Sequence, residues 1–268
     1  MQDTIEWRPM EPQNVQAAVE EWERWSNVVL NSHTVQKRCE ARDDARPQTM
    51  ALVCYGPSLQ ETWRGVAADR EKGAIVVSTS GAHDFLTAKG IKPDWHVDCD
   101  PRAHKAEHVS PVDGVRYMLA SCSHPRFIEK LAPFDLSLWH MVNTRQDLRI
   151  LDEIEPDGWL VLGGGNVGLR AITLGYCMGF RDFSVYGMDC SFADDGAQHA
   201  GSHAGKRQHP IQVRCGTDEF WSSAVWVENA RQFSQSCLTL KDAHFHLHGR
   251  GLLQSMCREM NRMAKEAA

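Results

Sequence analysis

Short apolar runs alternate with longer amphipathic stretches along most of this chain. The runs TMALVCY, AIVVSTS, VRYMLAS and DFSVYGMD have the length and apolar content of buried strands. Stretches with helical spacing, such as LQETWRGVAADREKG and NVGLRAITLGYCMGF, lie between runs of this kind. Strands that alternate with helices predict an α/β fold, with a mainly parallel sheet covered by helices on both faces.

The segment from about residue 14 to residue 40 predicts an additional N-terminal helix. Its apolar residues recur at spacings of three and four, which places on one face Val15, Val19, Trp22, Trp25 and Val29. We therefore divide the chain into an N-terminal arm and helix, residues 1–47, and an α/β domain, residues 48–268. The helix is also the surface through which a homo-oligomer could form.

The C-terminal part has a less regular pattern. It predicts a loop rich in His and Gly, a helix near residues 217–237, a short strand in AHFHLHG and a terminal helix from about Leu252. His244, His246 and His248 share one face of that strand, which is more typical of surface alternation than of a metal cluster.

Composition and charge narrow the class of protein. The chain has 268 residues, of which 42% are hydrophobic and 24% charged, as in ordinary globular domains. The formal net charge of −6 does not favour a nucleic-acid surface. No run approaches the 18 apolar residues or so that a membrane span needs. We therefore expect no membrane span and no nucleic-acid partner.

The N-terminus and the cysteines indicate the compartment. The first residues, MQDTIEWRPMEPQ, contain no apolar core of a secretion signal. The nine cysteines are odd in number, form no C-x-x-C pair, and lie partly inside apolar runs such as ALVCYG. We expect free thiols and a reducing, cytoplasmic setting.

Glycine and polar residues follow several predicted strands, at the carboxyl ends where parallel sheets bind ligands. The turn Gly56-Pro57-Ser58 and the pair Ser80-Gly81 each connect a strand to a helix. Glycine allows a sharp turn close to a ligand, and free amides at a helix start suit a phosphate. These residues are candidates for nucleotide binding, although each turn alone is also typical of an ordinary helix cap.

The segment VDCDP places two carboxylates at a strand end. Because side chains alternate along a strand, Asp98 and Asp100 point the same way and can together hold Mg²⁺ or Mn²⁺. Arg102 follows as a candidate phosphate ligand. Equally, one aspartate can cap the turn before Pro101 while the other is solvated.

The segment VLGGGNVGLR contains most of the glycine. Gly163, Gly165 and Gly168 match G-x-G-x-x-G, and Asp189 follows 21 residues after the last of them, as in NAD-binding sites. A single match of this kind is weak, and the glycines could free backbone amides for any diphosphate or sugar. The nucleotide-binding candidates here are Gly164, Gly165, Asn166 and Val167.

The loop after Asp189 contains the titratable and basic side chains. A mobile loop that closes over an anionic substrate would use His199 as acid or base, and Lys206 and Arg207 on phosphate. His199 and His203 are four residues apart, but the glycine and turn residues around them argue against a helical zinc pair. A solvated loop is the alternative.

Taken in order, these motifs resemble the family of archaeal 6-hydroxymethylpterin diphosphokinase-like proteins and bacterial motility accessory factors. The resemblance rests on VCYGPSL, GIKPDWHVDCDP and GGGNVGLRAITLGYCMGFRDFSVYGMDCSF, and covers roughly residues 50–250. A weaker similarity extends to bacterial sialyltransferases with a GT-A-like sheet. The resemblance implies a Rossmann-like (GT-A-like) fold and a nucleotide-dependent transferase.

The implied chemistry is transfer of a diphosphate from ATP to a small hydroxymethyl, pterin-like acceptor, assisted by Mg²⁺ at Asp98 and Asp100. Asp189 and His199 would be catalytic residues beside the acceptor. Three other hypotheses stay open: a glycosyltransferase that uses a nucleotide sugar, a non-catalytic nucleotide-binding protein, and an NAD-dependent oxidoreductase.

Overall fold

Eight parallel strands form one sheet in the computed structural model of this chain, which describes residues 19–201 and 208–266. The strand order is β10-β7-β1-β2-β3-β4-β5-β6, and every neighbouring pair is parallel. The strands of this sheet are β1 (Met50–Val53), β2 (Ile75–Thr79), β3 (Trp95–Asp98), β4 (Arg116–Ala120), β5 (Asp135–Met141), β6 (Leu160–Val161), β7 (Asp182–Tyr186) and β10 (His244–Leu247). A separate antiparallel hairpin consists of β8 (Ile211–Cys215) and β9 (Asp218–Ser222).

Helices connect most of these strands, as the alternation of the sequence predicts. They are α1 (Glu21–Thr34), α2 (Leu59–Glu71), α3 (Ala82–Ala88), α4 (Pro125–Leu131), α5 (Arg145–Ile154), α6 (Val167–Cys177), α7 (Ala224–Thr239) and α8 (Leu252–Glu266), with a 3₁₀ turn at Ala103–Glu107. The predicted α/β class, the parallel sheet and the N-terminal helix are confirmed.

The sheet buries both faces, which explains why its strands are apolar throughout. Alternate residues of β1 show this directly. Met50 and Leu52 belong to the core on the α6 side, whereas Ala51 and Val53 belong to the core beneath α2 and α3. All four side chains are almost completely buried.

The strand order reverses at β1. From β1 the chain adds β2 to β6 on one side, then returns to place β7 and β10 on the other. Such a reversal leaves a crevice beyond the carboxyl ends of the two neighbouring strands from which the chain departs in opposite directions, here β1 and β7. This is where the fold itself predicts a ligand.

One sequence prediction about secondary structure needs correction, and two elements were not predicted. The predicted helix near 217–237 is two elements, because residues 218–222 form β9 and α7 begins at Ala224. Helix α5 was not predicted. It begins with a capping box between Thr144 and Asp147. Hairpin β8–β9 was not predicted either, since its strands are half exposed and lack a continuous apolar run.

The N-terminal helix is shorter than predicted and is part of the main core. It ends at Thr34, and the following residues pair with the sheet: Cys39 N donates to Leu138 O at 2.8 Å, and Leu138 N donates to Lys37 O at 3.0 Å. Residues 14–18 of the predicted helix lie outside the described residues. The boundary between residues 47 and 48 therefore stays a prediction.

Two asparagines attach α1 to the loop after β4. Buried Asn31 donates through Nδ2 to the carbonyls of Ser121 at 2.8 Å and Ser123 at 2.7 Å, and Asn27 donates to Cys122 O at 3.3 Å. The outer face of α1 leaves Trp22 70% exposed. An oligomer through this helix stays a prediction.

All nine cysteines are free thiols, as expected. Within residues 19–201 and 208–266, no helix combines the length and apolar character needed to cross a membrane.

We predict that Asn31→Ala lowers the free energy of unfolding by about 2–4 kcal/mol, because two buried carbonyls lose their donor at roughly 1–3 kcal/mol each. Urea denaturation followed by circular dichroism measures the change. The control is Ser26→Ala on the exposed face of α1, expected within about 0.5 kcal/mol of wild type. A loss below about 1 kcal/mol for Asn31→Ala would show that α1 docks by other contacts.

Candidate functional site

The turns after β1 and β7 touch each other across the crevice. Gly56 N donates to Gly187 O at 2.8 Å, and Gly187 has a φ of +62°. A Cβ on Gly56 would lie 2.4 Å from Gly187 O, closer than any real contact. The two glycines therefore allow an approach that larger residues would prevent.

Asp189 is held in place by the first of these turns. Ser58 donates to its two oxygens, through the amide at 2.8 Å and through Oγ at 2.5 Å. Burial raises the pKa of Asp189 to about 6, against the lowering effect of the Ser58 hydrogen bonds. Ser58 thus binds Asp189 and makes no side-chain cap on α2, contrary to the predicted capping role.

A cavity of about 180 Å³ lies in this crevice. Seven of the predicted site residues line it: Gly56, Pro57, Ser80, Asn166, Val167, Asp189 and His199. They follow four strands that are far apart in the sequence. The sheet therefore brings the predicted turns after β1, β2, β6 and β7 to one place.

His199 forms one wall of the cavity. Its ring stacks on that of Tyr55, with centroids 5.7 Å apart and planes at 12°. The neighbouring Ala200 N donates to Tyr55 O at 3.0 Å, which fixes this part of the loop to the turn after β1. Burial lowers the pKa of His199, although a hydrogen bond with the Tyr55 backbone opposes this. The imidazole is therefore mostly neutral near pH 7 and can accept a proton.

Two residues that line the cavity have strained backbones. Ser80 has a φ of +48° and Cys190 a φ of +55°, and they are the two non-glycine residues with positive φ among those described. Side chains disfavour this region, and such strain is concentrated at ligand sites. Strain at two positions of one cavity supports a functional role.

The glycine run shapes the backbone more than it lines the cavity. Gly164 has a φ of +47°, and a Cβ there would lie 2.1 Å from Leu169 Cβ. The Gly165 amide donates to Gln232 Oε1 at 2.6 Å. Neither glycine borders the cavity. Asn166 does, and its Oδ1 also caps α6 by accepting from Leu169 N at 2.9 Å.

The other residues predicted for the site do not line the cavity or are not among the residues that the structure describes. Gly81 precedes α3 as its N-cap residue, and a Cβ at this position would lie only 2.5 Å from the Tyr55 ring. Asp98, Asp100 and Arg102 follow β3 and do not border the cavity. Lys206 and Arg207 lie outside the described residues.

The acid pair is linked to the cavity by a lysine. Lys105 Nζ lies 3.7 Å from Asp98 Oδ2 and 3.6 Å from Asp100 Oδ2, and it donates to Ser80 Oγ at 3.2 Å. Arg102 binds Asp100 through Nε at 2.8 Å and through its terminal nitrogen at 2.5 Å. Burial raises the pKa of Asp100, but the hydrogen bonds of Arg102 and the charge of Lys105 outweigh it and hold that pKa below its usual value.

A resident divalent ion does not fit this arrangement. Three of the four carboxylate oxygens already accept hydrogen bonds from the chain, and Asp98 Oδ2 is the exception. No group of three or more Asp, Glu, His or Cys side chains suited to a metal occurs among the described residues. The Mg²⁺ or Mn²⁺ prediction stays untested, and this geometry argues against it.

Sequence reasoning missed several residues of the site. Tyr55, Gln198, Trp226 and Asn229 line the cavity, and Lys105 lies behind Ser80. Tyr55 was detectable as the neighbour of Gly56. Trp226 was not, because the undetected hairpin displaced the predicted start of α7.

The comparisons with known proteins agree with this fold. Residues 26–195 match the model of a family described as 6-hydroxymethylpterin diphosphokinase MptE-like. The structure of the MAf glycosyltransferase from Magnetospirillum magneticum AMB-1 is similar, with a TM-score of 0.60 and 11% sequence identity. That match covers 91% of this chain and 41% of the other, so this chain spans about two fifths of its length. No curated protein matches the chain.

We predict that Asp189 makes the protein less stable as the pH rises from about 4 to about 6. The folded state holds its proton up to about pH 6, whereas an ordinary aspartate loses it near 3.8. The free energy of unfolding of Asp189→Asn relative to wild type should therefore increase by about 2–3 kcal/mol between pH 4 and pH 7.

Urea denaturation at intervals of one pH unit measures this difference. Ser58→Ala removes a hydrogen bond that opposes the raised pKa, so the fall in stability should extend to higher pH. A difference between Asp189→Asn and wild type that stays constant with pH would contradict the prediction.

Proposed function

Because the chain belongs to the 6-hydroxymethylpterin diphosphokinase MptE-like family, we propose that it is a nucleotide-dependent transferase whose donor binds in the cavity between β1 and β7. One observation carries this proposal. Turns from four parallel strands and the first turns of α6 and α7 converge on the same cavity. Amides at helix starts attract phosphate, and the reversal of strand order is the usual nucleotide position in such sheets.

The walls of the cavity suit a flat, polar ring as well as a phosphate. Trp226 packs on Phe192 with ring centroids 4.8 Å apart, and Trp226 is one of the residues that line the cavity. Gln198 and Asn229 also line it. Aromatic faces bind bases or pterins by stacking, and amides can donate to or accept from their edges.

In the first form of this proposal, the donor is ATP and the acceptor a small hydroxymethyl compound of the pterin type. The acceptor oxygen attacks the β-phosphorus of ATP, and a new P–O bond forms. The bond that breaks joins the β-phosphorus to the oxygen that bridges it to the α-phosphorus. AMP leaves with that oxygen, and His199 takes the proton of the acceptor hydroxyl. Asp189 positions the turn of Ser58, because both its oxygens are occupied.

In the second form, the donor is a nucleotide sugar. The reason to consider this alternative is that the MAf glycosyltransferase has a similar fold. The acceptor oxygen would attack the anomeric carbon, and the bond from that carbon to the nucleotide phosphate would break. His199 would again take the acceptor proton.

Thermal-shift measurements test the donor class. We expect ATP, CMP or a UDP-sugar to raise the melting temperature more than NAD does, since a ligand at 100 times its Kd stabilises the fold by about 2.7 kcal/mol. AMP release from ATP with 6-hydroxymethyldihydropterin would identify the first form of the proposal. Stabilisation by NAD alone would contradict a transferase, and binding without turnover of any acceptor would favour a non-catalytic protein.

We predict that His199→Gln lowers kcat by at least about 100-fold with little change in the donor KM, because it removes a general base. The lowered pKa of His199 also predicts how the wild-type rate depends on pH. The rate should rise as His199 loses its proton, with an apparent pKa below 6.5, and stay constant at higher pH. The matched control is His33→Gln, exposed on α1 and remote in sequence, which should leave both constants unchanged. An unaltered kcat in His199→Gln would exclude this base.

A further inference from the structure

The two aspartates assigned to a metal already have cations supplied by the chain. Lys105 lies within 3.7 Å of both carboxylates, and Arg102 binds Asp100 with two nitrogens. Asp98 and Lys105 are only 1% and 5% exposed. Two buried carboxylates repel each other unless a cation lies between them, and here that cation is an ammonium group.

The hydrogen bonds of the carboxylates leave little room for a second cation. Asp98 Oδ1 accepts from the amides of Cys99 at 2.7 Å and Asp100 at 3.0 Å. Both oxygens of Asp100 accept from Arg102. Mg²⁺ requires oxygen ligands at 2.0–2.1 Å in an octahedron, so it would have to displace both basic side chains.

The ammonium group of Lys105 contacts Ser80, a residue that lines the cavity. It donates to Ser80 Oγ at 3.2 Å, and its contacts with the two carboxylates are longer than hydrogen bonds. Ser80 borders the cavity and has the strained φ of +48°. The charge of Lys105 also acts on His199, one wall of the cavity, and contributes to its lowered pKa.

We propose that Lys105 supplies the positive charge that the sequence assigned to a divalent ion, and binds a phosphate group of the ligand without metal. Asp98 and Asp100 are positioning residues that hold the buried ammonium group next to Ser80. Because Lys105 donates to Ser80 and Ser80 lines the cavity, a phosphate bound at Ser80 would have this ammonium group as its neighbouring cation. This inference rests on the proposed phosphate-bearing donor and specifies how that phosphate is held.

Calorimetric titration with inorganic pyrophosphate tests the proposal, in buffer with EDTA and in buffer with Mg²⁺. For wild type we expect affinities that agree within about threefold in the two buffers. Lys105→Met, close in volume but uncharged, should weaken binding at least about tenfold in both, which is the loss of roughly one charge-assisted contact. The control is Lys92→Met, an exposed lysine, which should bind as wild type does.

A second readout does not depend on the folding of Lys105→Met. Titration of wild type with Mn²⁺, followed by electron paramagnetic resonance, should detect no ion bound with micromolar affinity. One ion per chain that is lost in Asp98→Asn would overturn the proposal. So would a tenfold dependence of pyrophosphate affinity on Mg²⁺, undiminished affinity in Lys105→Met, or no binding of pyrophosphate to wild type.

The outcomes separate this inference from the proposed function. Pyrophosphate binding that needs Lys105 but no metal supports the inference about Lys105. If, in addition, no nucleotide binds more tightly than pyrophosphate, the nucleotide donor is contradicted while the inference stands. Tight nucleotide binding that needs Mg²⁺ would support the donor and refute the role of Lys105.

Discussion

Ser58 and Asp189 join the two halves of the sheet where the strand order reverses. The neighbouring strands β1 and β7 are paired in the sheet, but the chain leaves them toward opposite faces, so their following turns need contacts of their own. The two hydrogen bonds of Ser58 and the backbone contact between Gly56 and Gly187 provide these contacts. The cavity exists because these turns stay fixed, and His199 reaches it because its loop is bound to Tyr55 in the first turn.

Charge at the carboxyl edge is balanced locally, and this has consequences for the chemistry. Asp98 and Asp100 face Lys105 and Arg102, so the region carries paired charges in place of an open acidic site. Buried pairs of this kind lose stability when one partner is removed, because the other charge remains uncompensated. The pairing also holds Lys105 against Ser80, and in the proposed role a cation held in this way loses little entropy when it binds an anion.

Family membership and geometry restrict the function in different ways. The family match indicates the type of enzyme, and the cavity indicates where a donor can bind. In the proposed mechanism the predicted catalytic pair has two different roles: His199, with its lowered pKa, accepts the proton, and Asp189, whose two oxygens accept from Ser58, positions the turn. Both proposed reactions, diphosphate transfer and glycosyl transfer, can use these roles, since in each an acceptor hydroxyl loses its proton.

The sequence by itself determined the order of strands and helices, the parallel sheet and the positions of the turns, because periodicity and glycine are local signals. It also identified Gly56, Ser80, Asn166 and Asp189 as residues after strands. Hairpin β8–β9 and helix α5 were missed, since half-exposed strands and a cap formed by Thr144 and Asp147 leave weak patterns.

Only the tertiary structure decided which of these residues share a cavity and what each one binds. Asp98 and Asp100 have the spacing of a metal site, but their partner depends on where the 3₁₀ turn at Ala103–Glu107 directs Lys105. Likewise, Ser58 has the position of a helix cap, yet it binds Asp189, which is 131 residues away. The spacing of residues along the chain specifies which side chains lie at the carboxyl edge of the sheet. The packing between distant segments specifies which charged or polar group each of these side chains contacts.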